Sequence, residues 1–244
     1  MSTSFSGFKP EALAFLRGLK ANNDAAWFKP RKAIYDKEVK APLAALVAAL
    51  ADAAQERGLP LTGDPVKSVF RIYRDIRFSK DKRPYRPVAS AALTRSGSRH
   101  DPGVLYVHIE PGASFLACGF WQPQPELLDA WRKEMVRKPA KFLGLARAFE
   151  KKGLPLAGGE ERKRLPRGFE AHRDEPIAPY LLWNSFVVDR KLLDGDVQSP
   201  DLPRRALAFA ETCRPLLDYG WALEKGKGHR ELKLGGPTHS VMRR

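Results

Sequence analysis

The sequence lacks the short motifs that identify many common enzyme classes. It has no GxxxxGK[ST] loop and no GxGxxG after a predicted strand, so a phosphate-loop NTPase or a Rossmann domain has no support. HExxH and GxSxG are also absent, which gives no support for a zinc hydrolase or a serine nucleophile. The five histidines are scattered along the chain. We therefore expect neither a metal site nor a cofactor.

Cysteine and long apolar runs are also scarce. The two cysteines, Cys118 and Cys213, are far apart and outside any CxxC pair, which argues against a disulfide scaffold or a zinc knuckle. No apolar run reaches the roughly 18 residues that a membrane span needs. A signal peptide begins with a basic region followed by an apolar one, and the start of this chain has no such pattern. These features predict a cytoplasmic protein with reduced cysteines.

Positive charge is abundant. The 244 residues include 43 Lys or Arg against 28 Asp or Glu, a formal net charge of +15. Such a balance favours anionic partners, namely nucleic acid, phosphorylated metabolites or acidic membrane surfaces. A hydrophobic content of 43% is enough for a sizeable core. We predict one domain over residues 1–224 and a basic, disordered tail over 225–244.

The apolar spacing predicts helices on both sides of a central sheet. Helical periodicity covers 10–20, a longer region from about 24 to 57 that Pro42 should kink, 124–137, 139–151 and 202–224. Strands are predicted near 66–78, 88–94, 104–110, 114–121 and 181–188. Pro111 and Gly112 provide the turn of a hairpin between the third and fourth of these. The order predicts an α+β fold with an antiparallel sheet.

The most distinctive segment is rich in arginine. Residues 67–99 hold ten Lys or Arg against two Asp. Guanidinium, ammonium, hydroxyl and turn amide groups bind phosphate or carboxylate. The predicted ligand-binding residues are Arg71, Tyr73, Arg74, Asp75, Arg77, Ser79, Lys80, Lys82, Tyr85 and, further along, Trp121. In a regular strand Phe70, Ile72, Ile76 and Phe78 would be buried opposite the charged residues.

Two open alternatives accompany this site. In one alternative the same Arg and Asp residues staple the strand to neighbouring helices; both roles are compatible if Asp75 fixes arginines whose outer donors face a ligand. His108 and Glu110 lie on the polar side of the next strand, where they would supply general acid/base groups if that side adjoins Arg71 and Tyr73. The simpler interpretation of His108 is a side chain on a surface-facing side of the sheet, or a satisfied, partly buried histidine.

The arginine-rich segment also carries a family resemblance. Its run from Arg71 to Tyr85, with Tyr106-Val-His108-Ile-Glu110-Pro111-Gly112, resembles the uncharacterised bacterial and fungal family called domain of unknown function 2461. Further matching pieces are Phe5 to Phe8, Phe15-Leu16, Asn22-Asn23…Trp27-Phe28, Gly119-Phe-Trp121-Gln-Pro123 and Leu165-Pro-Arg-Gly168-Phe…His172. The resemblance spans roughly residues 5–224. It implies a shared fold and no particular activity.

Three functions remain open from the sequence. The chain is predicted to be a module that binds a phosphate-bearing partner such as nucleic acid or a nucleotide-like molecule. Alternatively it is a metal-independent enzyme that clamps a small anionic substrate while His108 or Glu110 moves protons. In the third hypothesis the arginine motif only holds the fold together, and losing Arg77 would cost about 3–5 kcal/mol if its ion pair is buried.

Overall fold

The computed structural model of the chain describes residues 5–224 and confirms the α+β prediction. Helices precede and follow an antiparallel sheet. The α-helices are α1 (Pro10–Ala21), α2 (Ala25–Phe28), α3 (Lys32–Ile34), α4 (Ala41–Glu56), α5 (Pro125–Arg137), α6 (Pro139–Lys151), α7 (Ala178–Leu181), α8 (Asp194–Gln198) and α9 (Leu202–Trp221). The strands are β1 (Ala89–Leu93), β2 (Val104–Ile109), β3 (Phe115–Phe120) and β4 (Phe186–Lys191). Short 3-10 turns cover Lys29–Arg31 and Glu170–His172.

The N-terminal helices begin where the sequence provides caps. Pro10 occupies the first turn of α1, where its missing N–H costs nothing. The second helical region is capped by Asp24, whose Oδ1 accepts the Trp27 N–H at 2.8 Å. This hydrogen bond satisfies a backbone donor in the first turn of α2.

Pro42 perturbs the long helical region, where the turn before it is a π-helix, which is wider than an α-helix. Residues Tyr35–Lys40 form a π-helix, and α4 begins directly after it. Because proline has no N–H to donate and its ring clashes with the carbonyl four residues earlier, an ordinary α-helical turn across Glu38 is disfavoured. The wider π-helical turn accommodates the missing N–H and the ring of Pro42, so the helix continues into α4.

The sheet has the strand order β1-β2-β3-β4 within the described residues. β1 and β2 pair antiparallel from Ala89↔Ile109 to Leu93↔Leu105. Gly112, at a φ of +74°, lies in the turn that joins β2 to β3. The strands predicted at 88–94, 104–110 and 114–121 are thus confirmed.

The strand predicted at 66–78 is wrong. This stretch has only isolated bridges, Val69↔Ala91 and Tyr73↔Tyr85. The reason is local, because aspartates accept backbone N–H groups two residues ahead and so bend the chain into turns. Asp75 Oδ1 accepts the Arg77 N–H at 3.2 Å in this way. Turns of this type compete with the regular hydrogen bonding of a strand.

The strand predicted at 181–188 is shifted. Leu181 belongs to α7, and β4 runs from Phe186 to Lys191. Pro179 lies in the first turn of α7, where its fixed φ favours a helix. The sequence prediction therefore placed the beginning and the end of this strand too early.

The chain divides into two compact units. The first comprises the residues up to Arg99, Leu105–Ala117 and Arg190–Glu211. The second comprises His100–Val104, Cys118–Asp189 and the described residues from Thr212 onward. The single domain predicted over 1–224 stays a prediction, and the predicted tail at 225–244 lies outside the described residues.

Each unit has its own aromatic core. In the first unit the Phe28 ring stacks on Tyr85 with centroids 4.3 Å apart. In the second unit Trp131 stacks on Phe186 with centroids 4.0 Å apart. Cys118 and Cys213 are free and fully buried in the second unit, and burial raises the pKa of the Cys118 thiol. A thiol kept neutral in this way behaves as a small core side chain.

Candidate functional site

The arginine-rich segment forms a closed loop in the first unit. We call residues 71–85 the arginine loop. Its two ends meet at the bridge between Tyr73 and Tyr85. Next to this bridge the Arg74 N–H donates to the Pro84 carbonyl at 2.8 Å. Backbone pairing at the base therefore holds the ends of the loop together while its charged middle projects outward.

Aromatic packing and one amide anchor the base of the arginine loop. Tyr85 is buried against Phe28, and the Tyr73 ring lies 5.5 Å from the Tyr85 ring. The side chain of Asn23 donates to the Tyr85 carbonyl and accepts the Tyr85 N–H, both at 2.9 Å. The predicted ligand-binding residue Tyr85 is therefore part of the anchor, whereas the side chain of Tyr73 is more than half exposed.

Asp81 organises two arginines within the loop. Arg83 donates to both carboxylate oxygens, with Nε at 3.0 Å from Oδ1 and Nη2 at 2.7 Å from Oδ2. Arg74 Nη1 donates to Oδ2 at 2.7 Å and to the Arg83 carbonyl at 3.0 Å. Hydrogen bonds from the Arg83 side chain, then its backbone N–H, then Arg74, hold the pKa of Asp81 well below its usual range. Asp81 is thus an ionised linker that fixes both guanidiniums.

Asp75 and Arg77 form a second bidentate pair. Arg77 Nε lies 3.0 Å from Asp75 Oδ1, and Nη2 lies 2.7 Å from Oδ2. The hydrogen bond to Asp75 raises the pKa of Arg77. The two side chains are 76% and 60% exposed, so this pair orients a guanidinium at the surface. An Asp paired in this way serves as a positioning group, and the remaining Arg77 donors stay available to a ligand.

The other cations of the loop are less constrained. Arg71 and Lys80 are exposed and form no hydrogen bond or ion pair with any residue from 5 to 224. Lys82 Nζ donates to the Ile76 carbonyl at 3.1 Å, and the Ser79 hydroxyl accepts from Arg74 at 3.4 Å. The two aspartates therefore leave a surplus of surface donors along the loop.

Phe78 lies in the open part of the loop. Its side chain is 94% exposed, although the sequence pattern predicted that it would be buried. That prediction is wrong because the alternating strand on which it depended is absent. The Arg77 guanidinium carbon is 5.8 Å from the centre of the Phe78 ring. An aromatic surface and a cation thus stand side by side in solvent.

A buried polar row follows strand β2 in the same unit. The Tyr106 hydroxyl is 3.2 Å from His108 Nδ1, and His108 Nε2 is 3.3 Å from Glu110 Oε2. Lys20 Nζ donates to Glu110 Oε1 at 3.0 Å. His108 and Glu110 are only 5% and 3% exposed, and burial raises the pKa of Tyr106 to about 12. The row connects a buried tyrosine to the largely exposed Lys20.

The structure groups the predicted site residues in three places. Arg74, Asp75, Arg77, Ser79 and Lys82 join the hydrogen bonds of the arginine loop, where Tyr73 and Tyr85 form the base. His108 and Glu110 join the polar row instead, and the cleft predicted to unite them with Arg71 stays a prediction. Trp121 lies in the second unit, half-buried near Gly159.

Sequence reasoning missed the supports of both groups. Asn23 entered the sequence analysis only as part of the family resemblance, although it fixes Tyr85, 62 positions away. Lys20 was taken as an ordinary helix residue, although it pairs with Glu110, 90 positions away. No local pattern marks such distant partners, and only the folded chain brings them together.

Residues 5–224 lack both a metal-binding cluster and a membrane-spanning helix. They contain no group of three or more His, Cys, Asp or Glu side chains arranged to hold a metal ion. None of their helices combines the length and apolar character that crossing a membrane requires.

The comparisons with known proteins give a family. The family described as conserved hypothetical protein (DUF2461) matches residues 11–219. Neither a curated protein nor a solved structure matches the chain.

Proposed function

The chain belongs to the DUF2461 family, whose description names no activity, and we propose from the arginine loop that it is a nucleic-acid-binding module of the cytoplasm. The observation that carries this proposal is that some cations of the loop are paired with aspartates while others are unpaired. Both aspartates are engaged in holding guanidiniums, while Arg71 and Lys80 have no partner among residues 5–224. Ordered and unpaired cations within one loop suit a chain of phosphates.

Exposure favours binding over stapling. The expectation of a 3–5 kcal/mol loss at Arg77 assumed a buried ion pair, but the Arg77–Asp75 pair lies in solvent. Exposed pairs contribute roughly 0–1 kcal/mol to stability. Since a pair this exposed is expected to add little to stability, the fixed geometry of Arg77 is better explained by recognition of an external anion.

Phe78 supports a nucleic acid rather than a free anion. Phosphate or a dicarboxylate offers no surface that would use an exposed phenyl ring. A nucleobase does, because bases stack on aromatic side chains while neighbouring phosphates contact Lys and Arg. Phe78, Arg77 and Lys80 lie within three residues of one another along the loop.

The test is a charge reversal of the unpaired cations in the full chain. We expect Arg71→Glu/Lys80→Glu to weaken binding of a fluorescent single-stranded oligonucleotide measured by anisotropy. Each lost phosphate contact should also reduce the steepness of the log–log salt dependence by roughly 0.7. The matched control is Lys9→Glu/Lys40→Glu, which changes the net charge equally at exposed positions of the same unit.

The comparison of the two double variants decides the matter. If both lose affinity equally, binding reflects only the overall charge of the chain, and the arginine loop is not the site. If only the Arg71/Lys80 variant loses affinity while both keep the melting temperature of the wild type, the loop binds the phosphates.

The polar row supports a second candidate function. The continuous contacts from Tyr106 through His108 to Glu110 are those of a proton-transfer chain, as a metal-independent enzyme acting on a small anionic substrate would need. The low exposure of His108 and Glu110 weighs against this alternative, because a substrate must reach the transferred proton. His108→Gln changes the polar row and leaves the arginine loop intact. If the chain is a binding module that uses the loop, this variant should bind nucleic acid with the affinity of the wild type.

A further inference from the structure

A pocket in the second unit is independent of the arginine loop. Its volume is about 470 Å³, which is within the roughly 300–1,000 Å³ typical of small-molecule sites. Helix α5 supplies one wall and the segment after Leu165 supplies the other. The lining residues are Asp129, Lys133, Val136, Arg137, Arg167, Gly168, Phe169 and His172.

Helical spacing places the α5 residues on one wall. Asp129, Lys133 and Arg137 follow one another at intervals of four, so their side chains project from the same side of the helix. On the opposite wall Gly168 has a φ of +88°, a conformation that side-chain-bearing residues rarely adopt. This turn is followed by the 3-10 turn Glu170–His172, which places His172 at the pocket.

Cations outnumber carboxylates on the pocket walls. Lys133, Arg137 and Arg167 line the pocket with a single carboxylate, Asp129. Lys133 Nζ is 2.7 Å from Asp129 Oδ2, an exposed pair that an incoming anion can compete with. Arg167 has no hydrogen bond or ion pair with any residue of the described chain. A guanidinium left open at a concave site is suited to a phosphate group.

The remaining Arg137 donors strengthen this assignment. Arg137 uses Nε and Nη2 on Glu134, which leaves Nη1 without a partner within residues 5–224. The Glu134 pair thereby holds the guanidinium in a fixed orientation, as Asp75 does for Arg77 in the other unit. His172 Nδ1 is likewise fixed, at 2.8 Å from Glu175 Oε1.

The pocket also has an apolar part. Val136 and Phe169 line it between the charged groups, so a purely inorganic ion would leave this surface uncovered. We infer that the second unit binds a small organic phosphate of about mononucleotide size. Arg137 and Arg167 hold the phosphate, and the carbon portion lies against Val136 and Phe169. This site is separate from the nucleic-acid surface proposed above and needs none of its residues.

Calorimetric titration of the full chain tests the inference. The probes are adenosine 5′-monophosphate, ribose 5-phosphate and inorganic phosphate. We expect at least one organic phosphate to bind at least tenfold more tightly than inorganic phosphate, because only the organic ligands cover the apolar wall. Arg167→Ala should weaken that binding tenfold or more, which corresponds to about 1.4 kcal/mol.

Two controls make the outcome specific. Arg164→Ala removes an exposed arginine of the same segment that does not line the pocket, and it should bind as the wild type does. Arg71→Glu/Lys80→Glu should also retain full affinity, which separates this pocket from the arginine loop. The inference is overturned if neither organic phosphate binds at millimolar concentration, or if Arg164→Ala weakens binding as much as Arg167→Ala.

Discussion

The side chain of Asn23 pairs with both backbone polar groups of Tyr85, donating to its carbonyl and accepting its N–H at 2.9 Å each. Two such bonds reproduce what a neighbouring strand would provide at that position. Tyr85 closes the base of the arginine loop, so Asn23 links the start of the helical region to the loop. This contact adds two hydrogen bonds to the base of the loop, next to the bridge between Tyr73 and Tyr85.

Asn23→Ala should therefore destabilise the fold. It leaves a backbone donor and acceptor of a buried residue without their partner, and we expect a loss of about 1–3 kcal/mol in the free energy of unfolding. Urea denaturation measures this loss. Asn22→Ala is the control, because the Asn22 side chain bonds only to the exposed carbonyl of Gly18. Equal, small effects of the two substitutions would show that the loop base does not depend on Asn23.

Asp81 should make stability depend on pH. Its pKa is lowered in the folded chain by hydrogen bonds from Arg83 and Arg74, relative to a usual value of 3.8. Protonation therefore favours the unfolded chain, so the stabilisation is complete above the unfolded pKa and is lost as pH falls through the folded one. We expect the stability difference between wild type and Asp81→Asn to be constant above about pH 5 and to shrink below about pH 4.

The Asp81 experiment has an internal check. Other aspartates with lowered pKa values, such as Asp64 and Asp201, contribute to the acid response of both proteins and cancel in the difference. Thermal unfolding at several pH values supplies the data. A difference that stays the same from pH 6 to pH 3 would mean that Asp81 is not preferentially ionised in the folded chain.

Arg132 should be important for the second unit. It is buried, and it donates from Nε to the Leu181 carbonyl at 3.0 Å and from Nη2 to the Trp183 carbonyl at 2.9 Å. Burial lowers the pKa of Arg132 to about 10, with a further contribution from Arg162. Arg132→Met removes both donors and should cost about 1–3 kcal/mol for each carbonyl left buried. Lys133→Met, one residue away and exposed, should change stability by less than about 0.5 kcal/mol.

The helices and the hairpin were predictable because their signals are local. Pro111 and Gly112 mark the turn, and Pro139 marks the start of α6 after a break in the helical spacing. The arginine loop was not predictable as a loop, because alternation of Ile72 with charged neighbours is also what a half-buried strand shows. Its turns depend on carboxylates such as Asp75 bonding backbone N–H groups, a choice that spacing does not reveal.

The candidate site was predictable in composition and not in arrangement. The sequence identified the surplus of Arg and Lys between 67 and 99, but not which guanidiniums the aspartates would hold. It also placed His108 on a polar side of β2 without showing that this side is buried. Burial depends on what packs against the strand, including the stacked ring of Phe115.

Phe78 tests whether the arginine loop prefers single-stranded to double-stranded nucleic acid. Because its side chain is almost fully exposed, Phe78→Ala should leave the melting temperature unchanged. If the ring stacks on an unpaired base, the substitution should weaken single-stranded binding by about 1–3 kcal/mol. Affinity for a duplex of the same sequence should change much less, since its bases are already stacked on one another. Anisotropy titrations with both oligonucleotides measure the two effects.

The control for Phe78 is Val66→Ala, at an exposed apolar residue outside the arginine loop, 81% exposed. It should leave affinity for both oligonucleotides unchanged, because valine has no aromatic ring for a base to stack on. Equal weakening of single-stranded and duplex binding by Phe78→Ala would mean that the loop contacts phosphates alone. The binding surface would then recognise the phosphate backbone of any nucleic acid. The exposed phenyl ring would not contribute to discrimination between single-stranded and double-stranded forms.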